Sequence, residues 1–271
     1  MDDGTIDRGG RTLAWREGGE GPPLLLLQGY SGTADDWDPT FLAGLEATFR
    51  VIRPDNRGMG RSTFGDPAEP LSIFTMADDA LAVLDHLGVD SAVVAGWSMG
   101  GYIAQVVTCR APERVRALAL IDTAPGGPTA ARSDDPTAWT RLIDHSGTPR
   151  EQASRLLHVL FPEELADRFD AEVGDAVAEA RAALDLRALH AQEAAITAYH
   201  DADPPAVPTP PPPVLAVAGS EDIVLPPANV ERLADLWPGC RCEVIPGAGH
   251  AAMAQAPEEV VALIRSIASI G

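Results

Sequence analysis

The sequence predicts an α/β protein in which a parallel sheet is flanked by helices and a block of extra helices is inserted late in the chain. Short apolar runs alternate with helix-like segments, the runs Leu24-Leu25-Leu26-Leu27 and Val214-Leu215-Ala216-Val217 are apolar on both faces, and the strand signal vanishes between Asp122 and Val214. A strand covered by helices on both sides needs an unbroken apolar run of this kind. At 271 residues and 45% hydrophobic content, the chain is long enough to bury one large core.

Taken in order, the apolar runs place strands at residues 12–16, 23–28, 51–54, 92–97, 117–122, 214–219 and 242–245. Helical periodicity places helices at residues 75–87, 100–110, 228–236 and 257–269. Residues 136–200 read as several amphipathic helices rich in Ala, Leu, Glu and Arg. They open through Pro125-Gly126-Gly127-Pro128 and close through the proline cluster at 204–213, whose stiff extended form suits a return to the sheet. The expected division is a core in two parts, 1–124 and 206–271, around a helical lid at 125–205. A lid above the carboxyl ends of the strands would shape a ligand pocket there. No internal repeat is evident.

Chemistry concentrates in Gly96-Trp97-Ser98-Met99-Gly100, which an apolar strand enters and a helix leaves. A serine between two glycines at such a turn has its hydroxyl held exposed for attack on a carbonyl. The glycines let strand and helix backbones approach, and the N–H of Met99, at the helix N-terminus, is placed to stabilise an oxyanion. A serine hydroxyl is a poor nucleophile at neutral pH and needs a base, which in turn needs an orienting carboxylate. Of six histidines, His86, His145, His158, His190 and His200 lie within or at the edge of helical patterns. His250 instead sits in the loop Pro246-Gly247-Ala248-Gly249-His250 after the last strand, where it can reach across the sheet edge. For the carboxylate, Asp222 follows the strand at 214–219, and Asp122 and Glu221 compete with it. The order Ser98, Asp222, His250 belongs to one hydrolase class and differs from the chymotrypsin and subtilisin orders.

These motifs resemble the α/β-hydrolase fold, in particular the lid-bearing bacterial serine esterase, lactonase and C–C hydrolase group. Asp55-Asn56-Arg57-Gly58-Met59-Gly60-Arg61-Ser62 matches that family's Asp-x-Arg-Gly-x-Gly-x-Ser segment, and the motifs run in family order from Gln28 to His250. The resemblance implies an eight-stranded, mostly parallel sheet, a Ser98-Asp222-His250 triad, and neither metal nor organic cofactor. By position Tyr30 supplies the second oxyanion N–H beside Met99. There is one departure: the family's His-Gly is Gln28-Gly29 here, and a backbone donor survives that change of side chain.

The implied reaction is hydrolysis of a carboxylic ester or lactone of a small, largely apolar substrate. C–C bond hydrolysis or perhydrolysis by the same residues and a non-catalytic ligand-binding protein are the alternatives. Serine at the elbow excludes the aspartate-nucleophile branches, the haloalkane dehalogenases and epoxide hydrolases. Trp97, Trp37, Trp139 and Phe161 are the aromatic candidates for the substrate pocket. Arg57, Arg141 and Arg155 leave acidic substrates such as enol-lactone carboxylates open.

Composition narrows the partners. Forty acidic against 20 basic residues give a net charge of −20, which argues against nucleic acid and anionic membranes. Every basic residue is arginine, so lysine Schiff-base and P-loop lysine chemistry are excluded, and the bias fits a GC-rich bacterial genome. With no signal-like N-terminus and no long apolar run, a cytoplasmic location is expected, as monomer or homodimer. The odd set Cys109, Cys240 and Cys242 lacks the partners of a zinc site.

Overall fold

A computed structural model describes residues 2–65 and 69–269. Eight strands form one sheet in the order β1-β2-β4-β3-β5-β6-β7-β8. The strands are β1 (Asp2–Arg8), β2 (Arg11–Gly18), β3 (Pro23–Leu27), β4 (Arg50–Pro54), β5 (Ala92–Trp97), β6 (Val115–Ile121), β7 (Val214–Gly219) and β8 (Arg241–Ile245). β2 pairs antiparallel with β1 and with β4, and from β4 to β8 all neighbours are parallel.

Side chains alternate across the central strands. Leu25, Leu27, Val94, Leu118 and Leu120 join one core layer, while Leu24, Leu26, Val93, Ala95, Ala117 and Ala119 join the other. This is the period-2 alternation of a pleated strand with both faces covered. Helices α2 (Ile73–His86), α3 (Met99–Arg110) and α8 (Ala228–Leu236) cover the first face, and α1 (Pro39–Glu46), α9 (Ala252–Gln255) and α10 (Pro257–Ala268) the second. Both α1 and α2 start at capped ends: Asp38 accepts from the N–H of Phe41 at 2.8 Å, and Ser72 forms a capping box with Thr75.

Four elements lie outside the sequence expectation: β1, α1 and the short turns of helix at Pro112–Arg114 and Ala252–Gln255. Strand β1 escapes a pattern search because Ile6 is its one large apolar residue and it holds the exposed sheet edge. Helix α1 carries Phe41 and Leu45 at helical spacing with Pro39 in its first turn, signals that were present in the sequence.

Between β6 and β7 stand α4 (Ala138–Leu142), α5 (Pro149–Leu160), α6 (Glu163–Ala182) and α7 (Leu186–Asp201). They lie over the carboxyl ends of the strands. Ser31 N–H donates to Gln192 Oε1 at 3.0 Å, and the Tyr30 and Trp139 rings are 6.3 Å apart. Gly249 is pressed so closely onto the α5–α6 junction that a Cβ there would lie 2.6 Å from the Leu160 carbonyl oxygen. Helix α7 buries Leu189, Ala195, Ile196 and Tyr199 in the same core layer as α2 and α3. Its inner face is therefore continuous with the main core. No helix among the described residues is long and apolar enough to cross a membrane.

Candidate active site

The loops after β3, β5, β6, β7 and β8 converge at one end of the sheet, carrying Tyr30, Ser98, Asp122, Asp222 and His250 respectively. Ser98 joins β5 to α3 at φ 53° and ψ −120°, a conformation that costs a non-glycine residue about 1–3 kcal/mol. Surrounding bonds hold it there: its N–H donates to the Ile121 carbonyl at 2.9 Å, and its carbonyl accepts from Thr123 Oγ1 at 2.8 Å. The flanking glycines are required by space. A Cβ at Gly96 would lie 2.1 Å from the Gly100 oxygen, and one at Gly100 would lie 2.0 Å from the Leu27 oxygen.

His250 Nε2 lies 2.9 Å from Ser98 Oγ, and His250 Nδ1 lies 2.8 Å from Asp222 Oδ2. With the proton on Nδ1, the imidazole donates to Asp222 and accepts from the serine hydroxyl. The Val224 and Leu225 N–H groups donate to Asp222 Oδ1 at 2.8 and 2.9 Å, fixing the carboxylate in the turn after β7. All three residues are buried. Burial works to lower the His250 pKa, but the charge and hydrogen bond of Asp222, with a contribution from Asp122, outweigh it and raise the pKa above the ordinary histidine value.

Of the competing acids, Asp122 sits at φ 44° with its Oδ1 accepting from Gly219 N–H and its Oδ2 from Ala252 N–H, both at 2.9 Å. It ties β6 to β7 and to the helix after His250, and it makes no hydrogen bond to the imidazole. Burial and the nearby Asp222 charge push its pKa upward. Glu221 is exposed, and its N–H donates to the Ala248 carbonyl.

Tyr30 and Met99 both border the cavity onto which Ser98 opens. Neither backbone N–H forms a hydrogen bond among the described residues, as expected for Met99, the first residue of a helix. Gln28, which stands where the resembling family has histidine, turns back into its own loop. Its Oε1 accepts from Gly29 N–H at 2.9 Å and its Nε2 donates to the Thr33 carbonyl at 3.1 Å. The segment after β4 braces the same loop: Asp55 Oδ1 accepts from Ala34 N–H at 2.7 Å, and Asn56 Nδ2 donates to the Gln28 carbonyl at 3.1 Å. That segment therefore supports the Tyr30 loop without touching the cavity.

The cavity measures about 550 Å³ and is roofed by the inserted helices. Trp139 lines it, whereas Trp97, Trp37 and Phe161, expected beside it, do not. Trp97 packs edge-on against Trp37 in the opposite core layer and donates its Nε1–H to the His250 carbonyl at 2.7 Å. It braces the histidine from behind. Phe161 meets Phe169, with ring centroids 4.8 Å apart, within the insertion. In their place the cavity has Tyr102, Leu142, Ile196, His200, Val224 and Leu225. Tyr102, four residues after Ser98 on α3, could have been found from helical spacing. Its hydroxyl lies 2.9 Å from His200 Nε2 and its ring stacks on Tyr199. Burial and the Arg132 charge lower the His200 pKa, which favours a neutral ring in the cavity wall. Arg57, Arg141 and Arg155 are absent from the lining. Burial pushes the Cys109 thiol up to about 11, so it carries little thiolate at neutral pH.

A buried serine, imidazole and carboxylate in one hydrogen-bonded chain, beside two unpaired N–H groups, have the geometry that acyl transfer requires. A family model described as alpha/beta hydrolase fold matches residues 22–257, and the chain belongs to this family. Two curated relatives align over nearly the whole length. The protein "Putative non-heme bromoperoxidase BpoC" of Mycobacterium tuberculosis is 32% identical over 275 residues, covering 95% of this chain and 98% of the relative. Rhodomycin D methylesterase DauP of a Streptomyces species (strain C5) is 30% identical over 279 residues, covering 92% and 93%. Among solved structures, the meta-cleavage product hydrolase from Pseudomonas fluorescens IP01 superposes with a TM-score of 0.83 at 20% identity, covering 98% and 97%, a likeness of fold.

Proposed function

We propose that this α/β hydrolase cleaves a carboxylic ester or lactone of a small, largely apolar substrate through an acyl-enzyme on Ser98. The observation that carries the reading is the chain of two hydrogen bonds from Asp222 to His250 to Ser98, at 2.8 and 2.9 Å, which ends at Ser98 on the wall of a mostly apolar cavity. Ser98 Oγ attacks the carbonyl carbon while His250 Nε2 takes its proton, and the N–H groups of Tyr30 and Met99 receive the charge that develops on oxygen. His250 then protonates the departing alcohol. It next takes a proton from water, which attacks the acyl carbon, and returns that proton to Ser98 as the acid leaves. Asp222 holds the imidazole in the required tautomer and stabilises its charged form.

The inserted segment at 125–205 acts in this reading as a lid that shapes the substrate site. Trp139, Leu142, Ile196, Val224 and Leu225 receive the apolar body of the substrate, and the Tyr102–His200 pair offers hydrogen bonds to a hydroxyl or carbonyl upon it. The relative named a bromoperoxidase supports a second acceptor: hydrogen peroxide in place of water would take the same acyl group to give a peracid.

The test is covalent labelling by a fluorophosphonate together with turnover of p-nitrophenyl esters. Ser98→Ala should abolish labelling and lower turnover by about 10⁴-fold or more. Labelling or turnover that persists in Ser98→Ala overturns the mechanism. Peroxide added to the wild type separates hydrolysis from perhydrolysis.

A further inference from the structure

A second cluster of chemically capable side chains lies outside the cavity lining, against the hydroxyl of Tyr30. His190 and Glu193 stand three residues apart on α7 and so project from one face of that helix. His145 reaches them from the segment between α4 and α5. Its Nε2 lies 2.7 Å from Glu193 Oε1, and its ring centroid lies 5.4 Å from that of His190. One ligand atom from each of the three residues lies within 4.8 Å of the others.

We propose that His145, His190 and Glu193 bind a zinc-type dication that ties the inserted helices to the Tyr30 loop. Two imidazoles and one carboxylate are a donor set suited to zinc and its borderline neighbours, and unsuited to calcium or magnesium, which select oxygen ligands. Bonds of about 2.0–2.1 Å in a tetrahedron separate ligand atoms by about 3.4 Å. The His145–Glu193 pair therefore opens slightly and His190 swings inward. His190 is exposed, so this rotation meets little resistance. Three protein ligands leave the fourth position to water.

Tyr30 supplies the link to the rest of the molecule. Its hydroxyl donates to Glu193 Oε1 at 2.6 Å, an outer hydrogen bond of the kind that orients a ligating carboxylate. The next residue, Ser31, donates its N–H to Gln192 Oε1, beside Glu193 on α7. An ion held by Glu193 and His145 thus fixes the loop whose Tyr30 N–H borders Ser98. The inference does not depend on the hydrolase reading, because binding requires no turnover.

The experiment uses the full chain, stripped of metal and titrated with zinc chloride against a chromophoric chelator, with cobalt(II) as a spectroscopic substitute. One ion per chain is expected, with a Kd on the order of 1 μM, and tetrahedral cobalt absorption. His190→Ala removes an exposed side chain and should still fold, weakening binding by about tenfold or more. Zinc should raise the Tm of the wild type more than that of His190→Ala at the same concentration. Cys242→Ser should bind zinc like the wild type. Absence of saturable binding below about 100 μM, equal affinity in His190→Ala, or binding lost in Cys242→Ser would each overturn the proposal.

Discussion

The turn at Ser98 and the inserted helices both border one cavity, but they are built by different means. At the turn, backbone touches backbone: two glycines are forced by carbonyl oxygens 2.1 and 2.0 Å from where a Cβ would sit. Within the insertion, close glycine contacts include flexible side chains. At Gly174, in the middle of α6, the nearest atoms to a Cβ belong to the Arg150 guanidinium, at 2.7 Å. A site made of backbone contacts can hold reacting atoms to a fraction of an ångström. A wall made of side chains can change with little cost to the fold. In the proposed reading the first region sets which reaction is available, and the second which molecule undergoes it.

After Ser98 itself, the largest effect should come from the acid. Asp222→Asn keeps the shape of the turn while removing the acceptor that orders the His250 tautomer, and a loss of about 10³–10⁴-fold in kcat/KM is expected. The pH profile gives the sign of a second effect. His250 acts as a base when neutral, so activity in the wild type falls as pH drops through its raised pKa. Removing the Asp222 charge leaves burial with less opposition, so the acidic limb should move to lower pH while the plateau collapses. Steady-state kinetics across pH would check both. If Asp122→Asn lost more activity than Asp222→Asn, the orienting role would belong to the buried acid at the end of β6.

Next in size is the fold itself. In Gly100→Ala the new methyl would meet the Leu27 carbonyl at 2.0 Å, with backbone on both sides and no flexible neighbour to yield. A destabilisation of about 4 kcal/mol is expected, a fall of about 10 °C in Tm by calorimetry. A Tm within two or three degrees of the wild type would mean that the strand–helix junction is free to part.

The same contrast explains what could be read from the residues alone. Ser98 and Asp222 were legible because each follows a strand with a continuous apolar run, and His250 because it sits in a glycine-rich loop after the last strand, so their meeting at one end of the sheet is a matter of topology. Of the four aromatic residues expected in the pocket, Trp139 lines it and the other three do not. Trp97 adjoins Ser98 in sequence, yet its ring enters the opposite core layer, because successive side chains of a strand face opposite ways. Tyr102 was within reach of helical spacing from Ser98, but His200 meets it only because α7 packs beside α3, and no local pattern announces that packing. Strand β1 was hidden for another reason: an exposed antiparallel edge needs few apolar side chains, and residues 2–8 have few.

The smallest effect should be the most informative about the insertion. Gly174 lies in the interior of a 20-residue helix, where glycine is about 1 kcal/mol worse than alanine. Alanine there would displace the Arg150 guanidinium, which is 41% exposed and already divided between Asp170 and Asp175 at 2.6 and 3.1 Å. Such a surface pair contributes little, so its rearrangement should about cancel the helical gain. Gly174→Ala is therefore expected to change stability by less than about 1 kcal/mol, within about 3 °C in Tm, and to leave ester turnover unchanged. A loss approaching that of Gly100→Ala would show that the insertion is held as tightly as the turn at Ser98, and that substrate choice is as rigidly built as the chemistry.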